Sequence, residues 1–205
     1  MYQLYYSPGV CSLAIHALLI ELGQPFELIN KSDVEDFATI NPLGAVPVLR
    51  DGDMLIREGA AIVLHLVEKH GSDLLPAAGT PGRANALQWL LYANATVHPA
   101  YSKLFFVARA LDGDAAQGKA FEAAAGAAAK LWSLVDKQLQ ETRFVTGDKV
   151  SIADIMLTVY ANWGGYFPVD IPLGENVRRM LAEVSALPSF QQALGAEGVE
   201  YKAAA

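Results

Sequence analysis

Residues 1–6 alternate between the two faces of an extended chain and are rich in tyrosine, so they predict a strand, which Ser7-Pro8-Gly9 ends. Residues 11–22 are apolar almost all round. That pattern predicts a helix buried on most sides, with Gly23 as its C-terminal cap. Residues 26–29 read as a second short strand and 34–40 as a weak helix or turn. Residues 48–50 and 54–56 predict a hairpin, with Asp51-Gly52 as its turn, and 59–69 a second strongly apolar helix. The order β-α-β-α-β-β-α predicts a small α/β domain with helices on both faces of its sheet.

The texture changes after His70. Residues 71–82 carry Pro76, Gly79 and Pro81 among small residues and read as a linker. Beyond them the strand pattern stops. Helices are predicted over 83–110, 115–142, 151–163 and 176–187, the last ended by Pro188. Pro99 is expected to bend the first of these. The alanine-biased stretch 123–129 belongs to the second, and there is no internal repeat. The division is therefore an α/β domain over 1–75 and an all-helical domain over 83–205.

Composition narrows the function. With 205 residues, 53% hydrophobic, the chain has ample material for a packed core. A net charge of -7 argues against nucleic acid, whose phosphates need a basic face. No basic cluster suits a membrane surface, no apolar run is long enough to span a bilayer, and residues 1–6 lack the character of a signal peptide. The one cysteine, Cys11, rules out an internal disulfide, so a reduced, cytoplasmic protein is expected. His16, His65 and His70 lack metal-ligand spacing, and no metal is expected. A phosphate-cradling glycine loop and a nucleophile elbow are likewise missing.

The most informative segment runs from Asn41 through Pro42-Leu43-Gly44-Ala45-Val46-Pro47-Val48 to Leu49, followed by Glu58-Gly59. Pro47 lacks the amide hydrogen that a central strand would use, yet it sits among apolar strand formers. A turn running straight into a strand accounts for it, and a cis Val46–Pro47 bond would aim the Val46 backbone groups toward a ligand. Glu58 stands at the start of a helix, where free amides and the positive dipole end suit a carboxylate. Together these features make a surface able to grip a peptide-like molecule by its backbone and one charged end.

Three stretches carry a resemblance across essentially the whole chain. They are Tyr5-Tyr6-Ser7-Pro8-Gly9-Val10-Cys11-Ser12-Leu13-Ala14, the proline corner with Glu58-Gly59, and Thr146-Gly147-Asp148-Lys149-Val150-Ser151-Ile152-Ala153-Asp154-Ile155. The chain resembles the cytosolic glutathione transferases, above all their bacterial beta class. The resemblance implies an α/β N-terminal thioredoxin-like domain that binds glutathione, plus an all-α C-terminal domain carrying a hydrophobic substrate pocket. It implies that Val46, ahead of a cis Pro47, pairs with the cysteinyl part of glutathione, and that Glu58 and the Gly59 amide hold its γ-glutamyl end. Many relatives have serine at the Gly59 position, so one side-chain contact is missing. Lys31 falls where the family often places a basic residue near the glycyl carboxylate. The Ser151/Asp154 pair has a physical reading of its own, a capping box in which Ser151 accepts from the Asp154 amide and the Asp154 carboxylate reaches back.

Glutathione must have its thiol ionised or held by a donor before it attacks an electrophile, because a free thiol has a pKa of about 8.5. Three groups on one turn qualify: Cys11 at a helix start, where a thiolate is favoured, the Ser12 hydroxyl, and Tyr6 at the end of the first strand. The resemblance favours Cys11, supported by Ser12. It also singles out His98, although Pro99 stands where the family has a lysine; Lys103, one turn on, is a substitute for that charge. Aromatics gather in the helical domain at Tyr101, Phe105, Phe106, Tyr160, Trp163, Tyr166 and Phe167; of these, Tyr101, Phe105, Tyr166 and Phe167 are expected to line the hydrophobic pocket, the last two from a loop that begins at Gly164-Gly165. Glutathione as co-substrate, hydrophobic electrophiles as second substrates and a homodimer built on the helices of 83–142 complete what the resemblance implies. Conjugation, with thiol-disulfide or peroxide reduction through Cys11, is one function; a non-catalytic binding or partner protein of the same fold is the alternative.

Overall fold

The computed structural model describes residues 1–111 and 113–204. Asp112 and Ala205, both inside the expected helical domain, lie outside the described residues. Four strands form one sheet: β1 (Tyr2–Tyr6), β2 (Phe26–Asn30), β3 (Val48–Asp51) and β4 (Met54–Arg57), in the order β2-β1-β3-β4. β1 runs parallel to β2, with Leu4 opposite Leu28, and antiparallel to β3, with Tyr5 opposite Val48. The parallel pair is joined by α1 (Ser12–Glu21), the crossover that parallel strands require. The β3–β4 turn consists of Gly52-Asp53 rather than Asp51-Gly52, because Asp51 still pairs with Met54.

The two faces of the sheet are covered unequally. Leu4 and Leu49 pack with Leu18 of α1 and with Ile62 and Leu66 of α2 (Gly59–His70), so both helices lie on one face. Tyr5 and Val48 point the other way, onto Phe37. That face carries only two single-turn 3-10 helices, Lys31–Asp33 and Phe37–Thr39, where a weak helix over 34–40 was expected. Val34 breaks the run because it is extended between the two turns.

The connecting segment is anchored rather than loose. Leu74 and Leu75 are buried, Leu74 accepts the Ile152 N–H at 3.0 Å, and Arg83 spans Pro76 O and Glu68, each at 3.0 Å. The helical region begins with α3 (Pro81–Tyr92) and α4 (His98–Ala110), joined by a wide π-turn over Ala93–Val97. Here lies the effect of Pro99. Its nitrogen has no hydrogen for the carbonyl one turn back, and the chain takes up the mismatch by widening the turn before it.

α5 (Gln117–Glu141) packs beside α4 and α7 (Glu175–Ser185). α6 (Ile152–Asn162) is buried at every residue and occupies the centre of this region. Pro188 does not simply end a helix. It opens α8 (Pro188–Glu197) from the first helical position, where its fixed φ is an advantage. α8 packs against α1 and ties the end of the chain to the first helix.

Candidate active site

The proline corner is built as a braced hairpin of loop. Asn41, almost fully buried, donates its side-chain amide to Ala45 O at 2.7 Å and accepts the Leu43 N–H at 3.3 Å. Lys31 Nζ donates to Gly44 O at 3.2 Å. The Val46–Pro47 bond is cis, and Pro47 leads directly into β3. Glu58 immediately precedes α2 and holds a left-handed φ of 73°, an uncommon and costly conformation for a residue with a Cβ.

Cys11, Val46, Pro47, Glu58, Gly59 and His98 all line one cavity of about 450 Å³ between the sheet and the helical region. A second cavity of about 360 Å³ shares Cys11, Val46 and His98 and continues along α4 past Phe105, with Lys31 and Trp163 on its wall. Larger still is a groove of about 850 Å³ lined by Arg143, Glu183, Lys149 and Asp73. It contains none of the residues above, and Arg143–Glu183 and Lys149–Asp73 are ion pairs on its wall.

The thiol of Cys11 donates to Val46 O at 3.1 Å. Burial, aided by the nearby Glu58 carboxylate, pushes its pKa up to about 12; the amides at the start of α1 and Lys31 pull the other way and lose. The expectation of a thiolate favoured by the helix start is therefore corrected: in the ligand-free protein Cys11 is a protonated donor. Burial also lowers the pKa of His98, against the partial opposition of Glu58, so its ring is neutral at neutral pH. That ring packs edge-on against Tyr160 and Trp163, with centroids 5.2 and 5.3 Å away.

Several expected residues stand elsewhere. Ser12 is fully buried and donates to Ser7 O at 3.3 Å, so it braces the turn and does not face the cavity. Tyr6, whose hydroxyl pKa is raised by burial and by Glu197 and Asp33, lines neither cavity. Tyr101 is core: its hydroxyl accepts from Trp132 Nε1 at 2.9 Å. Phe167 is buried against Phe105 at 4.8 Å, and Tyr166 is 56% exposed on a 3-10 turn outside the cavities. Of the four expected pocket aromatics, only Phe105 lines the pocket. Lys103 is on the exposed face of α4 and lines neither cavity.

Trp163, one of the aromatics gathered in the helical domain, walls the second cavity and donates its Nε1–H to Gly9 O at 2.8 Å. Sequence reasoning missed two contributors. Asn94, presented by the π-turn, lines the first cavity beside Gly59; a Cβ on Gly59 would lie 3.2 Å from Asn94 Oδ1. The pairing of Pro99 with a predicted helix was the available signal for that turn. Glu197 of α8 accepts the Gly9 N–H at 2.9 Å and lies 2.9 Å from His16 Nδ1, but no local pattern announces a partner so distant in sequence. Gly9 itself has φ +70°, and a side chain there would crowd the Tyr166 hydroxyl at 3.2 Å.

A sheet with a cis-proline corner and an acid-headed helix, joined through a shared cleft to a bundle of helices, defines a thioredoxin-like two-part fold. The model for the glutathione S-transferase N-terminal domain matches residues 2–76. The chain is 32% identical to glutathione S-transferase GST-4.5 of Xanthomonas campestris pv. campestris, over 96% of this chain and 99% of that one. Among solved structures, a sphingomonad glutathione S-transferase complexed with glutathione superposes with a TM-score of 0.83 at 31% identity, covering 97% of this chain and 100% of that one. The bacterial beta class enzyme of Sphingomonas chungbukensis gives 0.84 at 30%, covering 97% and 100%. The chain belongs to the glutathione S-transferase family, close to its bacterial beta class.

Proposed function

We propose that this protein conjugates glutathione to hydrophobic electrophiles in the cleft between its α/β part (1–75) and its helical part (83–205). The observation that carries the reading is the convergence of Cys11, Val46, Glu58 and His98 on one cavity. The Val46 backbone pairs with the cysteinyl residue of the tripeptide. Glu58, the Gly59 amide at the start of α2, and the Asn94 side chain take the γ-glutamyl end; Lys31 takes the glycyl carboxylate. Asn94 stands where a serine side chain at position 59 would reach, and so supplies a polar group that Gly59 lacks.

The sulfur of glutathione comes to the start of α1. Cys11, protonated, donates its S–H to that sulfur once it leaves Val46 O, and the N-terminal dipole of α1 favours the negative charge. His98, neutral, accepts the proton given up by the glutathione thiol. The thiolate then attacks the electrophilic carbon, forming a C–S bond as the leaving group departs with its electron pair. A Cys11 this reluctant to ionise favours conjugation over thiol-disulfide exchange, since the thiolate is the reactive form. Pro99 in place of a lysine removes one charge and leaves the cleft complete, so the enzyme reading stands ahead of a non-catalytic partner protein.

Leu91 of α3 and Phe106 of α4 are 51% and 64% exposed, and a second copy of the chain covering these helices is the matching assembly. Light scattering on the purified protein tests for the dimer. The function is tested by conjugation of chlorodinitrobenzene: turnover that falls at least tenfold in Glu58→Ala through a raised KM for glutathione is expected, and no turnover in the wild type overturns the reading.

A further inference from the structure

We propose that Arg109 anchors a carboxylate on the second substrate, making this a transferase for elongated aryl acids. The inference rests on the reading above, in which the glutathione sulfur sits at the Cys11 end of the cleft. His98, Ser102, Phe105 and Arg109 recur at helical spacing along one face of α4, and all four line the cavity that begins at Cys11. This stripe is a graded surface. The neutral His98 ring is at the reacting end; Phe105, with Trp163 at 5.9 Å, makes an aromatic wall; Arg109, solvent-exposed in the last turn of α4, lines the cavity at the other end of the stripe.

Charge supports the same reading. The chain carries a net -7, yet no acidic residue is among the described residues lining this cavity, whose formal charges are Lys31 and Arg109. Lys31 is engaged with Gly44 O on the proline corner and belongs to the glutathione end. Arg109 has no hydrogen bond or ion pair among the described residues. A guanidinium offers two parallel N–H groups that match a carboxylate, while an adjoining aromatic wall excludes water from the rest of the molecule. A purely apolar electrophile would use the wall and leave the cation unused.

Geometry sets the length of the substrate. From His98 to Arg109 the helix advances about 16 Å, and the arginine side chain leans back toward the helix start. The acid is therefore carried on a tether or a second ring, and not on the ring that reacts.

The test uses a matched pair of electrophiles: a chloronitrobenzene bearing a carboxylate on a short phenyl tether, and its primary amide. The expected wild-type ratio of kcat/KM, acid over amide, is at least tenfold at low salt and arises in KM. Arg109→Gln brings the ratio to about one, and Arg109→Glu takes it below one. If chlorodinitrobenzene is conjugated but the wild-type ratio is near one, or survives in Arg109→Gln, the anchor is wrong while the glutathione function stands. If no electrophile reacts, the function itself fails. The dechlorinated acid and amide, titrated against tryptophan fluorescence, then decide the anchor. Tighter binding of the acid that is lost in Arg109→Gln supports it, and equal binding overturns it.

Discussion

The carboxylate of Glu197, in the last helix, accepts the N–H of Gly9 in the first turn of the chain at 2.9 Å, while Trp163 donates to the carbonyl of the same glycine at 2.8 Å. Both sides of the turn that carries Cys11 are thus held by the helical region. His16 completes the clamp at 2.9 Å from the other Glu197 oxygen, and both side chains are almost wholly buried. Glu197→Ala leaves a buried amide and a buried imidazole without partners, a loss of about 2–4 kcal/mol. Urea unfolding is expected to show that loss, with Glu197→Gln losing less because an oxygen still faces Gly9. Equal midpoints for wild type and Glu197→Ala would contradict the clamp.

Cys11 provides a pH test. Because its pKa is raised to about 12 by burial, the free thiol is protonated at neutral pH and becomes a nucleophile only in strong alkali. Alkylation of the ligand-free protein by iodoacetamide is expected to be slow at pH 7 and still rising at pH 10, well past the inflection of an ordinary thiol at about 8.5. A plateau below pH 9 would show that the amides at the start of α1 dominate after all.

Asp154 tests the helix-start motif in α6. Its carboxylate accepts from Ser151 N at 2.8 Å, from the Ser151 hydroxyl at 2.6 Å and from Val145 N at 2.9 Å, joining the helix to the preceding loop. Asp154→Ala strands these donors and is expected to cost about 2–4 kcal/mol. Burial nonetheless outweighs the three bonds and raises the carboxyl pKa to about 6. The folded state therefore holds the proton more tightly than the unfolded chain. As the pH rises from about 4 to 6, wild-type stability is expected to fall relative to that of Asp154→Asn, in which position 154 does not titrate. A gap that widens in the wild type's favour over that range would reverse the sign.

Tyr160 has the opposite signature. Its hydroxyl is buried and has no hydrogen-bond partner among the described residues, although its ring packs on His98 and Trp163. Tyr160→Phe keeps the ring and removes the unpaired oxygen, so stability is expected to rise by about 1 kcal/mol. A fall in the melting temperature would reveal a bond that this geometry does not contain.

The sequence disclosed what local chemistry dictates. The proline corner, the acid before α2 and the long apolar helices were all readable, because each follows from a backbone constraint or a periodicity. Residues placed by tertiary packing were not. Tyr101 and Phe167 have the spacing of pocket aromatics but face the core, and Ser12 has the right chemistry but turns inward to Ser7. Pro188 was read as a stop, although a proline starts helices as readily as it ends them, and so α8 with its Glu197 was lost. The ionisation of Cys11 went the wrong way because a helix start is visible in a sequence, whereas the burial that overrides it is not.

Calorimetric titration with glutathione tests the cleft most directly. One tripeptide bound per chain is expected, with affinity at least tenfold weaker in Glu58→Gln, whose side chain keeps its shape but loses the charge proposed to meet the γ-glutamyl ammonium. Absence of binding to the wild type, or equal affinity in Glu58→Gln, would contradict the assignment of this cavity to glutathione.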